Sequence, residues 1–342
     1  MREPTPISHP PRARVGLGGH GRTPGPSTCE AAPAIQVVAV CDPNDAERDL
    51  AAARFGAAAY ADFDALIADD AIEAVALITP NFLHRQQAEA AFARGLHVFV
   101  EKPIANTVAD GEAMAEAARR AGRYLMVGHN QRFTRAARRA KERLDAGDLG
   151  QVVAVEIHYA ADNATRMPAD AWRLDPTRCP LLPVMQLGVH AVDLVHYLIG
   201  PITSVAAQAR TIQTPPGVVD SVAAAFTLPD GALGTMVSTY CTEVRFEVRI
   251  SGTLGTMRCK PNVVWFRRTA DNDREGEGPA AEESFWDYRM ESFLLQMQAF
   301  GEAIQQGIPP AADAGVGLSA LRVVEAMDRS AREAGAWTAT GA

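Results

Sequence analysis

The sequence predicts an α/β protein in two parts: a doubly wound parallel sheet, then an α+β part with a largely antiparallel, open sheet. Three observations predict this. Up to about residue 128, apolar β-branched runs alternate with helical patterns, the rhythm of parallel strands joined by crossover helices. A glycine-rich turn separates the first two strands, and the second of them ends in an acidic residue. After Gly128 the rhythm changes to longer alternating strands divided by Pro/Gly turns. At 342 residues, either part is long enough to bury its own core. The expected boundaries are a Pro-rich disordered leader at 1–11, a first domain at 12–128 and a second at 129–342.

Each element has its own signal. Residues 13–17 form a short strand that runs into Gly16-Leu17-Gly18-Gly19-His20-Gly21, a G-x-G-x-x-G match. Residues 35–41 (IQVVAVC) form the second strand, followed by Asp42. The segment between them, 22–34, contains Pro24, Pro26 and Pro33, so any helix there is short or irregular. A helix is predicted over 44–55, with Asn44 as its N-cap and Asp45 and Glu47 in its first turn. A short helix over 62–68, a buried strand over 73–79 and an amphipathic helix over 82–94 come next. The strand 96–100 breaks into Glu101-Lys102-Pro103. A helix over 108–121 and a strand over 123–127 complete the first half.

The second half opens with a basic helix over 132–146, closed by Gly147, and a half-exposed strand over 151–161. A loop, AWRLDPTRCPLLP, runs to Met185-Gln186, and a helix over 188–199 carries His190, Asp193 and His196. Successive strands fill 202–267, with turns at Pro215-Pro216-Gly217, Pro229-Asp230-Gly231 and Ser251-Gly252. A polar loop over 270–281 and closing helices over 285–306 and 314–334 end the chain.

Composition excludes several function classes. A net charge of −8 argues against a nucleic-acid surface. The five cysteines show no C-x-x-C spacing, which suits a reducing compartment and gives no metal framework. No apolar run reaches the length of a membrane span, and the N-terminus has no apolar core of the signal-peptide type. A cytoplasmic location is the expectation.

The chemistry-bearing residues gather at strand ends. A buried parallel strand ending in Lys102 delivers that lysine to the carboxyl edge of the sheet, where ligands bind in open α/β sheets. Pro103 ends strand pairing there, restricts Lys102 to extended conformations and raises the question of a cis bond. Gly16, Gly18 and Gly21 let the backbone approach a pyrophosphate. Asp42, 21 residues beyond Gly21, stands where an acidic residue binds a ribose. Its carboxylate would repel a 2′-phosphate, so NAD is expected over NADP.

Four segments carry a resemblance: VGLGGHGR, TPNFLH at 79–84, VFVEKPIA at 98–105 and LGVHAVDLVHYLIG at 187–200. With them, the chain resembles the glucose–fructose oxidoreductase/inositol dehydrogenase/rhizopine-catabolism (Gfo/Idh/MocA) family of NAD(P)-dependent oxidoreductases. The resemblance implies a Rossmann domain that binds NAD, then a substrate-binding and oligomerisation domain, in a homodimer or homotetramer formed through the C-terminal sheet. It implies hydride transfer between a secondary alcohol of a sugar, cyclitol or polyol and the nicotinamide. Lys102 inherits the place beside nicotinamide and hydroxyl, and His190 a role in substrate binding or proton transfer. The loop residues Gly19 and His20, together with Thr79, Asn81, His84 and Glu101, fall at cofactor-contacting positions. Many relatives carry an aspartate four residues before the histidine, where this chain has Gln186; a frequent Gly-Gly pair is replaced here by Pro180-Leu181-Leu182-Pro183.

Loss of a hydroxyl proton as the C–H bond breaks calls for a base. Lys102 serves if desolvation lowers its pKa, with His190 as alternative base or orienting group. Asp193, three residues along the same helix, is expected to orient His190 or cap local structure. Trp172 and Arg173 stand before that helix, placed to touch a sugar face or to pack. His129, His158 and His196 are expected to be structural. A non-catalytic or regulatory dinucleotide-binding homologue is the alternative, as is a redox-neutral enzyme that recycles a retained NAD.

Overall fold

The computed structural model describes residues 13–18, 32–269, 275–277 and 285–342. The leader, Gly19, His20, Gly21, the proline-bearing segment 22–31 and most of the loop 270–281 lie outside the described residues.

The first sheet has six parallel strands: β1 (Ala13–Gly18), β2 (Ile35–Cys41), β3 (Ala58–Tyr60), β4 (Ala74–Leu77), β5 (His97–Glu101) and β6 (Leu125–Gly128). Their order is β3-β2-β1-β4-β5-β6, the doubly wound arrangement that the sequence rhythm predicts. β5 lies between β4 and β6 and is apolar on both faces, with Val98, Phe99 and Val100 all buried. Asn44 caps α1 (Asp45–Phe55) by accepting from the backbone N–H of Glu47, and Gly56 closes it in the left-handed region at φ 62°. The crossover helices α2 (Phe63–Ile67), α3 (His84–Ala93) and α4 (Val108–Ala121) follow. A 3₁₀ turn, Asn81–Leu83, leads into α3. Strand β3 was not predicted: three residues of Ala-Ala-Tyr carry too little apolar pattern to stand out.

α5 (Arg135–Asp145) leads from this sheet to the second. Among the described residues the second sheet has nine strands: β7 (Val152–Ala160), β8 (Ser204–Arg210), β9 (Ser221–Thr227), β10 (Leu233–Thr239), β11 (Arg245–Gly252), β12 (Gly255–Lys260), β13 (Val263–Arg268), β14 (Glu275–Glu277) and β15 (Thr338–Ala339). Their order is β14-β13-β12-β11-β7-β10-β9-β8-β15. Every neighbouring pair is antiparallel except β7 with β10. Two details correct the sequence reading. β11 continues through Gly252, so the turn falls at Thr253-Leu254, and part of the expected polar loop is the edge strand β14. β10 alternates exposed and buried residues, as a sheet with one covered face requires.

α6 (Val189–Leu198) continues from a π-helical turn, Val184–Gly188, where the prolines on either side of Leu181-Leu182 suggest loop. Gly188 permits this turn to lie against β10, since a Cβ there would stand 2.3 Å from Met236 Cε. The helices α7 (Phe285–Gln306) and α8 (Ala314–Arg332) return to the first domain. Phe300 packs 5.9 Å from the Phe99 ring, centroid to centroid. Gln298 Oε1 accepts from the Ala34 N–H, and Gln305 Nε2 donates to the Ala34 carbonyl, both at 2.9 Å. The strands of the first sheet end at Gly128 and those of the second begin at Val152, while Phe300 and Met297 of α7 join the core of the first sheet. Among the described residues no helix is long and apolar enough to cross a membrane.

Candidate active site

A cavity of about 620 Å³ opens at the carboxyl edge of the first sheet, where β5 ends, and the second sheet contributes its far wall. Glu101, Lys102, Thr79 and Asn81 line it from the first domain; Trp172, Arg173, Gln186 and His190 line it from the second.

Lys102 is held across the domain boundary. Its Nζ donates to the backbone carbonyl of Gln186 at 2.9 Å, and its peptide bond to Pro103 is cis. Burial lowers the ammonium to about 8, against the upward pull of the Glu101 carboxylate; Arg173 and Arg289 lower it further. Glu101 Oε2 accepts from the Lys102 N–H at 3.2 Å, and burial raises its carboxyl against the opposing effect of Lys102.

His190 reaches the same cavity from the first turn of α6. Burial and the nearby Lys102 push its imidazole well below the usual histidine value, so it is neutral. Its Nδ1 is buried and, among the described residues, has no hydrogen-bond partner. The π-helical turn that precedes it brings Gln186 into the wall. The Gln186 Oε1 accepts from Arg173 Nε at 3.2 Å, and its Nε2 points to Cys179 Sγ at 3.4 Å. Trp172 packs edge-on against Phe82, 5.8 Å between centroids.

Two expected site residues are placed elsewhere. Asp193 is 1% exposed and faces Arg132, whose Nε lies 2.8 Å from both carboxylate oxygens and whose Nη2 lies 2.8 Å from Oδ1. Helical spacing puts Asp193 near His190 in sequence, but a buried carboxylate needs a counter-charge, and the guanidinium fork supplies it. His84 is also buried. Its Nε2 lies 3.0 Å from the Thr79 carbonyl, and its Nδ1 lies 3.1 and 3.3 Å from those of Pro103 and Ile104. It therefore ties the end of β4 to the segment after β5 rather than lining the cavity. The other histidines occupy structural settings: His196 bridges the Ile202 N–H and Ser319 Oγ, His129 is buried 3.8 Å from Asp193, and His158 stands within β7.

At the cofactor end, Gly16 sits in β1, where a Cβ would meet Leu66 Cδ1 at 3.1 Å, and Gly18 is the strand's last residue. Asp42 follows β2 and accepts from the Asn44 N–H at 2.8 Å. The residues present fit a dinucleotide. The strand order reverses beside β1, and the cavity wall holds Asn81 Oδ1, a buried acceptor without a partner among the described residues. Several wall residues escaped the sequence reading: Asn130, Gln131, Asn163, Tyr240, Phe246 and Arg289. Only the first two had a local signal, their place just after the last parallel strand.

A doubly wound sheet that delivers a desolvated lysine into a cavity roofed by a second sheet defines a dinucleotide-dependent oxidoreductase. Residues 13–129 match the family described as "Oxidoreductase family, NAD-binding Rossmann fold", and residues 137–258 match the "GFO/IDH/MocA C-terminal domain". The chain is 30% identical over 277 residues to D-xylose 1-dehydrogenase (NADP(+)) 2 of Haloferax volcanii, covering 80% of this chain and 82% of that one. It is 26% identical to myo-inositol 2-dehydrogenase of Thermotoga maritima, over 69% of this chain and 71% of that one. Among solved structures, an oxidoreductase domain protein from Kribbella flavida superposes with a TM-score of 0.85 at 26% identity, covering 96% and 99% of the two chains. Levoglucosan dehydrogenase in complex with NADH and levoglucosan shares the fold, with a TM-score of 0.87 at 23% identity over 97% and 100%. The chain belongs to the Gfo/Idh/MocA oxidoreductase family.

Proposed function

We propose that this enzyme transfers a hydride between a secondary alcohol of a sugar, cyclitol or polyol and the nicotinamide of NAD, with Lys102 and His190 at the reacting centre. The observation that carries the reading is the setting of Lys102: half-buried, held by the Gln186 carbonyl, lowered to about 8, and facing the same cavity as a neutral His190. When bound, the nicotinamide accepts or returns the hydride. Lys102, as the neutral amine, takes the hydroxyl proton; a base so placed contributes about 10²–10⁴-fold, or roughly 3–5 kcal/mol of barrier. The Gln186 carbonyl keeps Nζ at the cavity wall, and His190 orients the hydroxyl. Thr79, Asn81 and Glu101 would hold the nicotinamide half of the cofactor, and Gly16 and Gly18, at the end of β1, would let the backbone approach its pyrophosphate. Asp42 takes the adenosine ribose hydroxyls and favours NAD over NADP.

The enzyme acts in the cytoplasm as a homodimer or homotetramer assembled through the open face of the second sheet. Leu233 and Val237, 60% and 40% exposed, stand on that face of β10, and burying such apolar surface favours association. The test is NADH formation across cyclitols, aldoses and acidic sugars. Turnover with one of them supports the reading; tight NAD binding with no turnover favours a non-catalytic homologue, and product without net NADH a redox-neutral enzyme.

A further inference from the structure

Resting on the oxidoreductase reading, we infer that the substrate carries a carboxylate, and that Arg173 receives it. The cavity wall bears Lys102, Arg173 and Arg289 against the single carboxylate of Glu101, in a chain whose net charge is −8. The pocket thus has the opposite sign to the molecule, an arrangement that attracts anions.

Arg173 is the cation available to the substrate. Arg173 and Arg289 both act on Lys102, but only Arg289 also acts on the Glu101 carboxylate, which partly offsets its charge; Lys102 works as a neutral amine. Arg173 sits on the 3₁₀ turn Trp172–Leu174, with its guanidinium 4.3 Å above the Trp172 ring. Its Nε donates to an amide oxygen, that of Gln186, so this contact leaves the charge uncompensated. Among the described residues it forms no ion pair, and its terminal nitrogens have no acceptor. Stacking and the Nε contact fix the guanidinium plane, which is the preparation a bidentate carboxylate contact needs.

A second donor stands nearby. Tyr240 lines the same wall, lies within electrostatic reach of Arg173, and its hydroxyl accepts from Asn163 Nδ2 at 3.4 Å, which leaves its own proton to donate. Arg173 holds the side chain of Gln186, whose carbonyl holds Lys102 Nζ, so an anion here and a hydroxyl at Lys102 belong to one small molecule. A guanidinium fork with one phenol matches a planar carboxylate.

The test compares matched compounds on the enzyme with NAD: glucose with glucuronate and glucose 6-phosphate, and galactose with galacturonate. The expected kcat/KM for a carboxylate exceeds that of its neutral parent by about 30-fold or more, the loss typical of truncating one partner of a buried charge pair. That ratio should collapse toward one in Arg173→Met and survive in part in Arg173→Lys, which also covers a Met variant that fails to fold. Neutral sugars preferred over acids, a phosphate ester preferred over the uronate, or an unchanged ratio in Arg173→Met would each overturn the assignment. Calorimetric binding of the same compounds to the enzyme–NADH complex reads the preference without turnover. Selective uronate binding without turnover would support the site while removing the oxidoreductase reading; equal or absent binding of the acids would remove the site.

Discussion

Lys102 Nζ and the backbone carbonyl of Gln186 meet at 2.9 Å across the boundary between the two domains. One residue follows the fifth strand of the parallel sheet and the other lies in the π-helical turn before the helix of His190, so this bond ties the two halves of the site together. A main-chain acceptor positions the amine, and the upward pull of the neighbouring Glu101 carboxylate is smaller than the effect of burial. Burial therefore dominates Lys102 and lowers it toward the range where a base is useful.

Replacing the amine should remove chemistry and spare binding. In Lys102→Met, kcat is expected to fall by about 10²–10⁴-fold, with NADH binding, read by fluorescence titration, retained. Parental turnover in this variant would show that another group takes the proton.

The pH profile follows from the same shift. Since Lys102 is lowered to about 8, the neutral base accumulates as pH rises through that value. Alcohol oxidation should gain in kcat/KM up to pH near 8 and level off above it, while carbonyl reduction, which needs the protonated form, should show the opposite trend. A profile flat from pH 6 to about 9 would contradict the assignment.

Cofactor choice should respond to Asp42. In Asp42→Ala the ratio of kcat/KM for NADP over NAD is expected to rise by about tenfold or more, as a like charge facing the 2′-phosphate is removed. Steady-state kinetics with both cofactors measures it, and an unchanged ratio would mean that the carboxylate does not face the ribose.

Asp193 matters for stability. Asp193→Ala leaves the Arg132 guanidinium without its buried partner, and the expected loss is about 3–5 kcal/mol. Denaturant titration at neutral pH checks this; a change confined to kcat with unaltered stability would return Asp193 to the reacting centre.

Acid should destabilise the fold through its buried imidazoles. His84 and His196 are each lowered by burial to about 4. The unfolded chain protonates them near 6.5, so their contribution is complete above that pH and is lost as pH falls toward 4. A fall in Tm of roughly 5–10 °C between pH 7.5 and 5 is expected, with a flatter profile in His196→Asn.

The sequence legibly carries the scaffold of the site but not its walls. The strand running into Glu101-Lys102-Pro103 could be placed because a continuous apolar run broken by charge and proline has one physical reading in a parallel sheet. Helix α4 matches its predicted span, 108–121, because Thr107 and Gly122 mark its ends. Asp193 shows the reverse case. Periodicity placed it three residues beyond His190, yet its partner is Arg132, 61 residues away in the chain, and no local pattern encodes that pairing.

By itself, then, the sequence determined the two sheets, the edge at which the cavity opens and the lysine presented there, since these depend on local periodicity, glycine and proline. Only the tertiary structure decided which groups surround that lysine: the Gln186 carbonyl, Arg173, Tyr240 and Arg289 come from segments far apart in the chain. Burial and charge are properties of that assembly, and they set the protonation of Lys102 and His190.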